Sequence, residues 1–124
     1  MNAIDFLESA KQQLEIVLKE EVNYRNASSR AYYSAFHICK DLMDKHPEWH
    51  VAIGSEHQKL INNLLNVPRK ELNILGRQLE RIKTLRHRAD YDLHKKFTYQ
   101  DAKQTIFESQ KIVDEVFGLD QPEN

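Results

Sequence analysis

The chain has few of the residues that interrupt helices or cross-link a fold. It contains one cysteine, three glycines and three prolines in 124 residues. The single Cys39 excludes a disulfide framework and a cysteine-based zinc site. The low glycine and proline content disfavours a turn-rich β-sandwich or a disordered chain. No stretch approaches the roughly 18 consecutive apolar residues of a membrane span, and no charged start leads into an apolar run, so we expect a cytoplasmic protein without a membrane contact.

The net charge of −1 conceals an uneven distribution. Residues 69–96 hold nine Lys or Arg against four Asp or Glu, a net +5, whereas the other 96 residues carry nine basic and fifteen acidic side chains, a net −6. Such a basic segment favours contact with a polyanion such as RNA. The alternative is a solvated helix face that is rich in arginine.

Apolar residues at spacings of three and four predict a helical protein. The predicted helices span about residues 3–20, 24–45, 55–66, 69–91 and 98–118. Pro47 ends the second helix, Ser55 and Thr98 supply N-caps, and Gly76 is a weak point inside the fourth helix. Without any strand signal, the pattern predicts an all-α, antiparallel four- to five-helix bundle in one domain over residues 1–118, with a frayed tail at 119–124.

The segment RHRADYDLH at residues 86–94 is the first candidate for chemistry. Arg88 and His94 lie six positions apart, which separates them by about 120° on a straight helix. They converge only if the helix ends before His94 or a second subunit completes the site. The alternative is that Arg88 forms an i,i+4 pair with Asp92 while His94 caps the helix end.

An arginine and a histidine together can cleave RNA without a metal. The guanidinium stabilises the charge of the phosphorane, and an imidazole moves protons at the 2′-oxygen or the leaving 5′-oxygen. His87, Tyr91 and His94 also share one face, as a stripe of titratable groups. Two histidines without a nearby Cys or Glu partner make a poor metal site, so we expect neither a metal nor a cofactor.

The segment YRNASSRAYYSAFH at residues 24–37 is the second candidate. Its small residues allow another helix to approach closely, which is typical of a core. Arg30 and His37 lie seven positions apart and hence on one side of the helix. They are expected to border the cleft that Arg88 enters, or else to form an ordinary hydrogen-bonded polar seam.

The sequence resembles the HEPN domains (higher eukaryotes and prokaryotes nucleotide-binding), in particular the small stand-alone prokaryotic members. The resemblance lies in SRAYYSAFHICK at residues 29–40, in RADY at residues 88–91 and in the order of helices over about residues 3–118. It implies a helical bundle that forms a homodimer. In active members it also implies a metal-independent endoribonuclease whose signature is an Arg, four to six residues, and a His.

Arg88, the five residues ADYDL and His94 match this signature. By the resemblance, the Arg88 and His94 pairs of two subunits meet at the dimer interface as catalytic residues. The candidates for a supporting role are Asp90, Tyr91, His87, Arg30 and His37.

Two function classes follow from the resemblance. One is an endoribonuclease that acts as a toxin or defence effector on RNA. The other is a non-catalytic dimer that binds nucleotide, nucleic acid or a protein partner, such as an antitoxin or a nucleotidyltransferase. Ala89 stands where active members usually have Asn, Asp or His. Lys96 stands where one branch has a tyrosine that a nucleotidyltransferase modifies, so this modification is not expected here.

Overall fold

The computed structural model describes residues 2–15, 20–50 and 53–120, and within these ranges the chain is helical without strands. Five α-helices follow one another: α1 (Ala3–Glu15), α2 (Glu21–Asp44), α3 (Glu56–Asn66), α4 (Lys70–Tyr91) and α5 (Tyr99–Asp120). A 3₁₀ turn at Pro47–Trp49 lies in the interval 46–54 between the second and third predicted helices. The all-α class predicted from the sequence is confirmed. No helix in the described ranges is long and apolar enough to cross a membrane.

Side-chain contacts show how the helices run. Arg30 of α2 bonds to Ser9 and Gln13 of α1, whereas Ser34 bonds to the carbonyl of Ala3, so α1 and α2 are antiparallel. Contacts join α4 to α5 at Arg88–Asp101 and Arg81–Glu108, which makes this pair antiparallel as well.

Helix α2 is the centre of the bundle and contacts all four other helices. Ala27, Ala31 and Ala35 are fully buried along it. Because alanine projects only a methyl group and the three residues follow at spacings of four, a neighbouring helix can approach α2 closely along this face. The prediction that the small residues of this segment belong to the core is confirmed.

The helix ends differ in part from the predicted ones. Helix α2 begins at Glu21, earlier than residue 24. Gly118 does not end α5, which continues to Asp120, because Gly118 lacks the left-handed conformation that closes a helix; within the described ranges only Gly54 has a positive φ. The first helix was predicted to reach about residue 20, but Glu20 is the N-cap of α2; residues 16–19 and most of the predicted tail, residues 121–124, lie outside the described residues.

Both predicted N-caps are confirmed. The Ser55 hydroxyl accepts a hydrogen bond from the backbone N–H of Gln58 at the start of α3. At α5, the Thr98 hydroxyl accepts from the N–H of Asp101, and the Asp101 carboxylate accepts from the N–H of Thr98. This reciprocal pair is a capping box, and it fixes the position of the Asp101 side chain.

Candidate functional site

Arg88 lies in the last turn of α4, with its side chain 37% exposed. Its guanidinium lies 3.7 Å from the Asp101 carboxylate and 6.0 Å from the centre of the Phe97 ring. The alternative prediction, an ion pair between Arg88 and Asp92, is therefore wrong: Arg88 pairs with Asp101, which the α5 capping box places beside it. An i,i+4 ion pair does occur in α4, between Arg86 and Asp90.

His94 lies outside α4, which ends at Tyr91. It is an exposed residue of the seven-residue connection 92–98 between α4 and α5, called here the α4–α5 turn. The separation of about 120° that a continuous helix would impose on Arg88 and His94 therefore does not apply. The hypothesis that His94 sits on an irregular connection before Thr98 is confirmed.

Arg25 of α2 binds this turn and was not among the predicted site residues. Its guanidinium donates to the carbonyl oxygens of Arg88 and Ala89 in the last turns of α4, and to those of Asp92 and Lys95 on either side of His94. A sequence signal existed: Arg25, Ser28 and Tyr32 follow one another at spacings of three and four, which places a charged residue on the buried face of the helix.

The end of the turn next to α5 is fixed through Phe97, which binds Glu21 with its backbone and the core with its side chain. The Glu21 carboxylate accepts a hydrogen bond of 2.6 Å from the backbone N–H of Phe97 and lies 3.7 Å from Nε of Arg25. The Phe97 side chain is buried in the core. The turn is thus anchored at both ends, while Leu93, His94 and the two lysines after it remain exposed.

Three candidates for a supporting role, His87, Asp90 and Tyr91, lie within three positions of Arg88 in the sequence but have different surroundings. The Asp90 carboxylate accepts hydrogen bonds from Arg86 and from the Ser29 hydroxyl of α2, both at 3.4 Å. His87 and Tyr91 are exposed, and their rings lie 4.8 Å apart between centres. Asp90 therefore joins α4 to α2, whereas His87 and Tyr91 face outward.

The other two supporting candidates, Arg30 and His37, face α1 instead of Arg88. Arg30 donates to the Ser9 hydroxyl at 3.0 Å and to Oε1 of Gln13 at 2.8 Å. The His37 ring stacks on Phe6 with 5.6 Å between ring centres. The expectation that they border the Arg88 cleft is corrected, because α1 covers this side of α2. For Arg30, the alternative of a hydrogen-bonded seam was the better interpretation.

An open groove of about 580 Å³ runs along α4 to Arg88. The groove is lined by polar and charged residues of α3, α4 and the turn, namely Gln58, Glu80, Lys83, Thr84, His87, Arg88, Asp92 and Lys95. The Lys83 ammonium donates to Oε1 of Gln58 at 3.0 Å, which ties α4 to α3 beneath the groove.

Some basic residues of the 69–96 segment form contacts away from the groove. Arg86 is 9% exposed and lies 5.0 Å from the centre of the buried Tyr32 ring, whose hydroxyl is 2.7 Å from Nδ1 of His57. Burial lowers the pKa of His57, and the positive charge of Arg86 lowers it further. Arg81 pairs with the buried Glu108 at 2.6 Å. Part of the basic segment therefore stabilises the core.

The described residues contain no cluster of three His, Cys, Asp or Glu side chains placed to hold a metal ion. Asp90 pairs with Arg86, whereas Asp101 pairs with Arg88 and accepts from the N–H of Thr98 at the start of α5. The polar groups around the α4–α5 turn are thus organised around guanidinium groups.

Comparison with known families agrees with the architecture. The family model of the HEPN domain matches residues 1–119 of the 124-residue chain. The chain therefore belongs to the HEPN domain family, which has RNase and nucleotide-binding members. A search of curated proteins found no significant match.

Proposed function

We propose that this HEPN protein is a metal-independent endoribonuclease that acts as a homodimer, with Arg88 and His94 as its catalytic residues. The observation that carries the proposal is the exposed His94 on an anchored turn directly after the helix end that holds Arg88. An exposed histidine can move protons, a partly exposed guanidinium can stabilise the charge of the phosphorane, and the adjoining groove offers two lysines to the RNA backbone.

The proposed reaction uses the RNA's own 2′-hydroxyl as the nucleophile. The 2′-oxygen forms a bond to phosphorus as the bond between phosphorus and the 5′-oxygen breaks, which leaves a 2′,3′-cyclic phosphate and a 5′-hydroxyl. Arg88 stabilises the negative charge on the phosphorane. The His94 imidazole moves a proton at the 2′-oxygen or at the leaving 5′-oxygen.

The dimer is proposed to include the α4–α5 turn. Tyr91 and Leu93 are 65% and 67% exposed, so two large apolar side chains stand in solvent beside His94. Burying them against a second copy would remove apolar surface from water and bring two Arg88 and His94 pairs together across a twofold axis. Arg88 and His94 can therefore act on one phosphate in two ways: within one subunit, because α4 ends before His94, or across the proposed dimer interface.

Leu93→Asp is expected to convert the dimer into a monomer, because it places a charge in the proposed apolar contact. Sedimentation velocity over a range of micromolar concentrations measures this directly. Phe107→Asp is the matched control, since Phe107 is an exposed aromatic residue of α5 at 60% exposure and should leave the dimer intact. A wild-type chain that sediments as a monomer at high micromolar concentration would contradict the proposed interface.

RNA affinity is expected to fall steeply with salt if the groove contacts the phosphate backbone. The slope of log affinity against log salt should be roughly −0.7 per phosphate contacted on a single strand. Lys95→Ala, which removes a cation from the groove wall, should weaken binding and make this slope less steep by roughly the same amount for one lost contact.

Lys111→Ala is the matched control for this measurement, because Lys111 lies over Phe107 on α5. Its binding and salt slope should equal those of the wild type. Affinity that is independent of salt would exclude the groove as a phosphate-binding surface and favour a protein partner.

A second candidate function rests on Ala89. This residue is 2% exposed, so the position after Arg88 packs into the core, where active relatives usually carry a polar residue. The alternative is a non-catalytic dimer that binds nucleotide, nucleic acid or a protein partner such as a nucleotidyltransferase. A role as a toxin with an antitoxin, or as a defence effector, belongs to the catalytic proposal. RNA cleavage by the purified protein separates the two functions.

A further inference from the structure

We propose that Arg25 is the positioning residue of this site: its buried guanidinium sets the conformation of the α4–α5 turn and thereby the placement of His94 relative to Arg88. The inference rests on the proposed function for its catalytic consequence. Its structural part, that Arg25 orders the turn, stands on the contacts of Arg25 alone.

The first line of evidence is the number and spread of the acceptors. Arg25 donates through Nη1 to the carbonyl oxygens of Arg88 and Ala89 at 3.0 and 2.9 Å. It donates through Nη2 to those of Asp92 and Lys95 at 3.2 and 2.5 Å. The four acceptors begin at the first catalytic candidate and end one residue after the second. One side chain therefore fixes the backbone on both sides of His94.

The second line of evidence is the chemistry of a helix end. The last four carbonyl groups of an α-helix have no partner within the helix and carry the negative end of its dipole. Ala89 supplies one such carbonyl, and the carbonyl of Arg88 accepts from Arg25 in addition to the N–H of the cap residue Asp92. A cation with a rigid, planar fork of donors satisfies several at once, which a lysine with its single ammonium cannot do in the same geometry. With Arg25 only 8% exposed, little water is present to compete.

The third line of evidence is a shared ring. Phe97 lies 5.6 Å from the Arg25 guanidinium and 6.0 Å from the Arg88 guanidinium, measured to the ring centre. Glu21 holds the backbone of Phe97 and pairs with Nε of Arg25. A displacement of Arg25 would therefore disturb the support of Arg88 as well as the turn that carries His94.

Arg25→Lys in the full-length protein tests the inference, because it keeps the charge and removes the fork. We expect kcat for RNA cleavage to fall about a hundredfold, since misplacing a catalytic group by about 1 Å costs that much. KM should change less than kcat, because Lys83, the groove lysine on α4, lies outside the turn that Arg25 holds. Amide hydrogen exchange of residues 92–98 should become faster, whereas exchange in the α2 core should not change.

Arg30→Lys is the matched control. Arg30 also lies on α2 and also donates two interhelical hydrogen bonds, but to Ser9 and Gln13 of α1. Its kcat and the exchange of residues 92–98 should equal those of the wild type. If Arg25→Lys does not fold, Glu21→Gln provides the second variant: it keeps an acceptor for the N–H of Phe97 and removes the charge beside Arg25, so we expect a smaller fall in kcat with the same faster exchange.

Each outcome decides one claim. Unchanged exchange of residues 92–98 in Arg25→Lys would overturn the ordering role. Faster exchange with an unchanged kcat would overturn the catalytic consequence, as would an equal loss of kcat in Arg30→Lys. A wild-type protein that cleaves no RNA would overturn the proposed function instead, and the exchange measurement would still decide whether Arg25 orders the turn.

Discussion

Arg88→Ala and His94→Ala are each expected to abolish RNA cleavage while the dimer stays folded. General acid–base catalysis alone typically raises the reaction rate about 10² to 10⁴-fold. Stabilisation of the phosphorane charge also contributes strongly to the rate, so loss of Arg88 should be at least as severe. The cost in stability should be small, because His94 is exposed and Arg88 contributes one partly exposed ion pair at 3.7 Å. RNA binding should survive better than turnover, since the groove lysines remain.

The measurement follows a defined RNA over time and identifies its ends. Cleavage by the wild type should persist in excess EDTA, yield 2′,3′-cyclic phosphate ends, and fail on DNA and on RNA methylated at the 2′-oxygen. His46→Ala is a control that removes a histidine outside the site, because His46 stacks on Trp49 in the connection between α2 and α3. A requirement for magnesium, or activity that survives both catalytic substitutions, would contradict this mechanism and indicate another nuclease.

Gly76→Leu is expected to destabilise the fold strongly. Gly76 lies inside α4 and is buried, and a Cβ atom there would be 3.0 Å from Cδ2 of Leu65 and 3.1 Å from Cβ of Leu64. Leu64 is fully buried in α3, so it must shift within the core to make room for the larger side chain. Overpacking of this kind costs about 1 to 3 kcal/mol, partly offset by the better helix propensity of leucine, and should lower Tm by several degrees.

Gly118→Ala is the matched control for this prediction. Gly118 is also a helical glycine, but an added Cβ would contact nothing within 4 Å. Its replacement should leave stability unchanged or raise it, by at most about 1 kcal/mol. Thermal unfolding at one fixed protein concentration compares the two variants, because the Tm of the proposed dimer would depend on concentration. A Gly76→Leu protein as stable as the wild type would show that α3 and α4 do not meet at this glycine.

The role of Gly76 could be predicted only in part from the sequence around it. Read along the chain, a glycine inside a helix is a weak point, because glycine has a high conformational entropy in the unfolded state. In the folded protein it is the place where α3 approaches α4. The approach depends on Leu64 and Leu65, which lie more than ten positions away, so it could not be predicted from the helix that contains the glycine.

The candidate site also combines local features, which the sequence predicts, with distant contacts, which it does not. The spacing of Arg88 and His94, the end of the apolar periodicity near Asp92 and the capping box at Thr98 are local, and together they predicted a helix end between the two catalytic candidates. The partners of these residues are not local. Arg88 pairs with Asp101 of the next helix, and the turn is held by Arg25, more than sixty positions earlier.

The sequence by itself determined the all-α class, the helices, the caps and the membership in a family of helical bundles. Helix formation depends on hydrogen bonds four residues apart and on an apolar stripe of the same period, and both are recorded in short stretches of sequence. Only the tertiary structure decided that Arg25 faces the α4–α5 turn while Arg30, on the same helix, faces α1. The physical reason is that α2 is surrounded by four helices, so the neighbour that each of its side chains meets depends on the packing of the whole bundle.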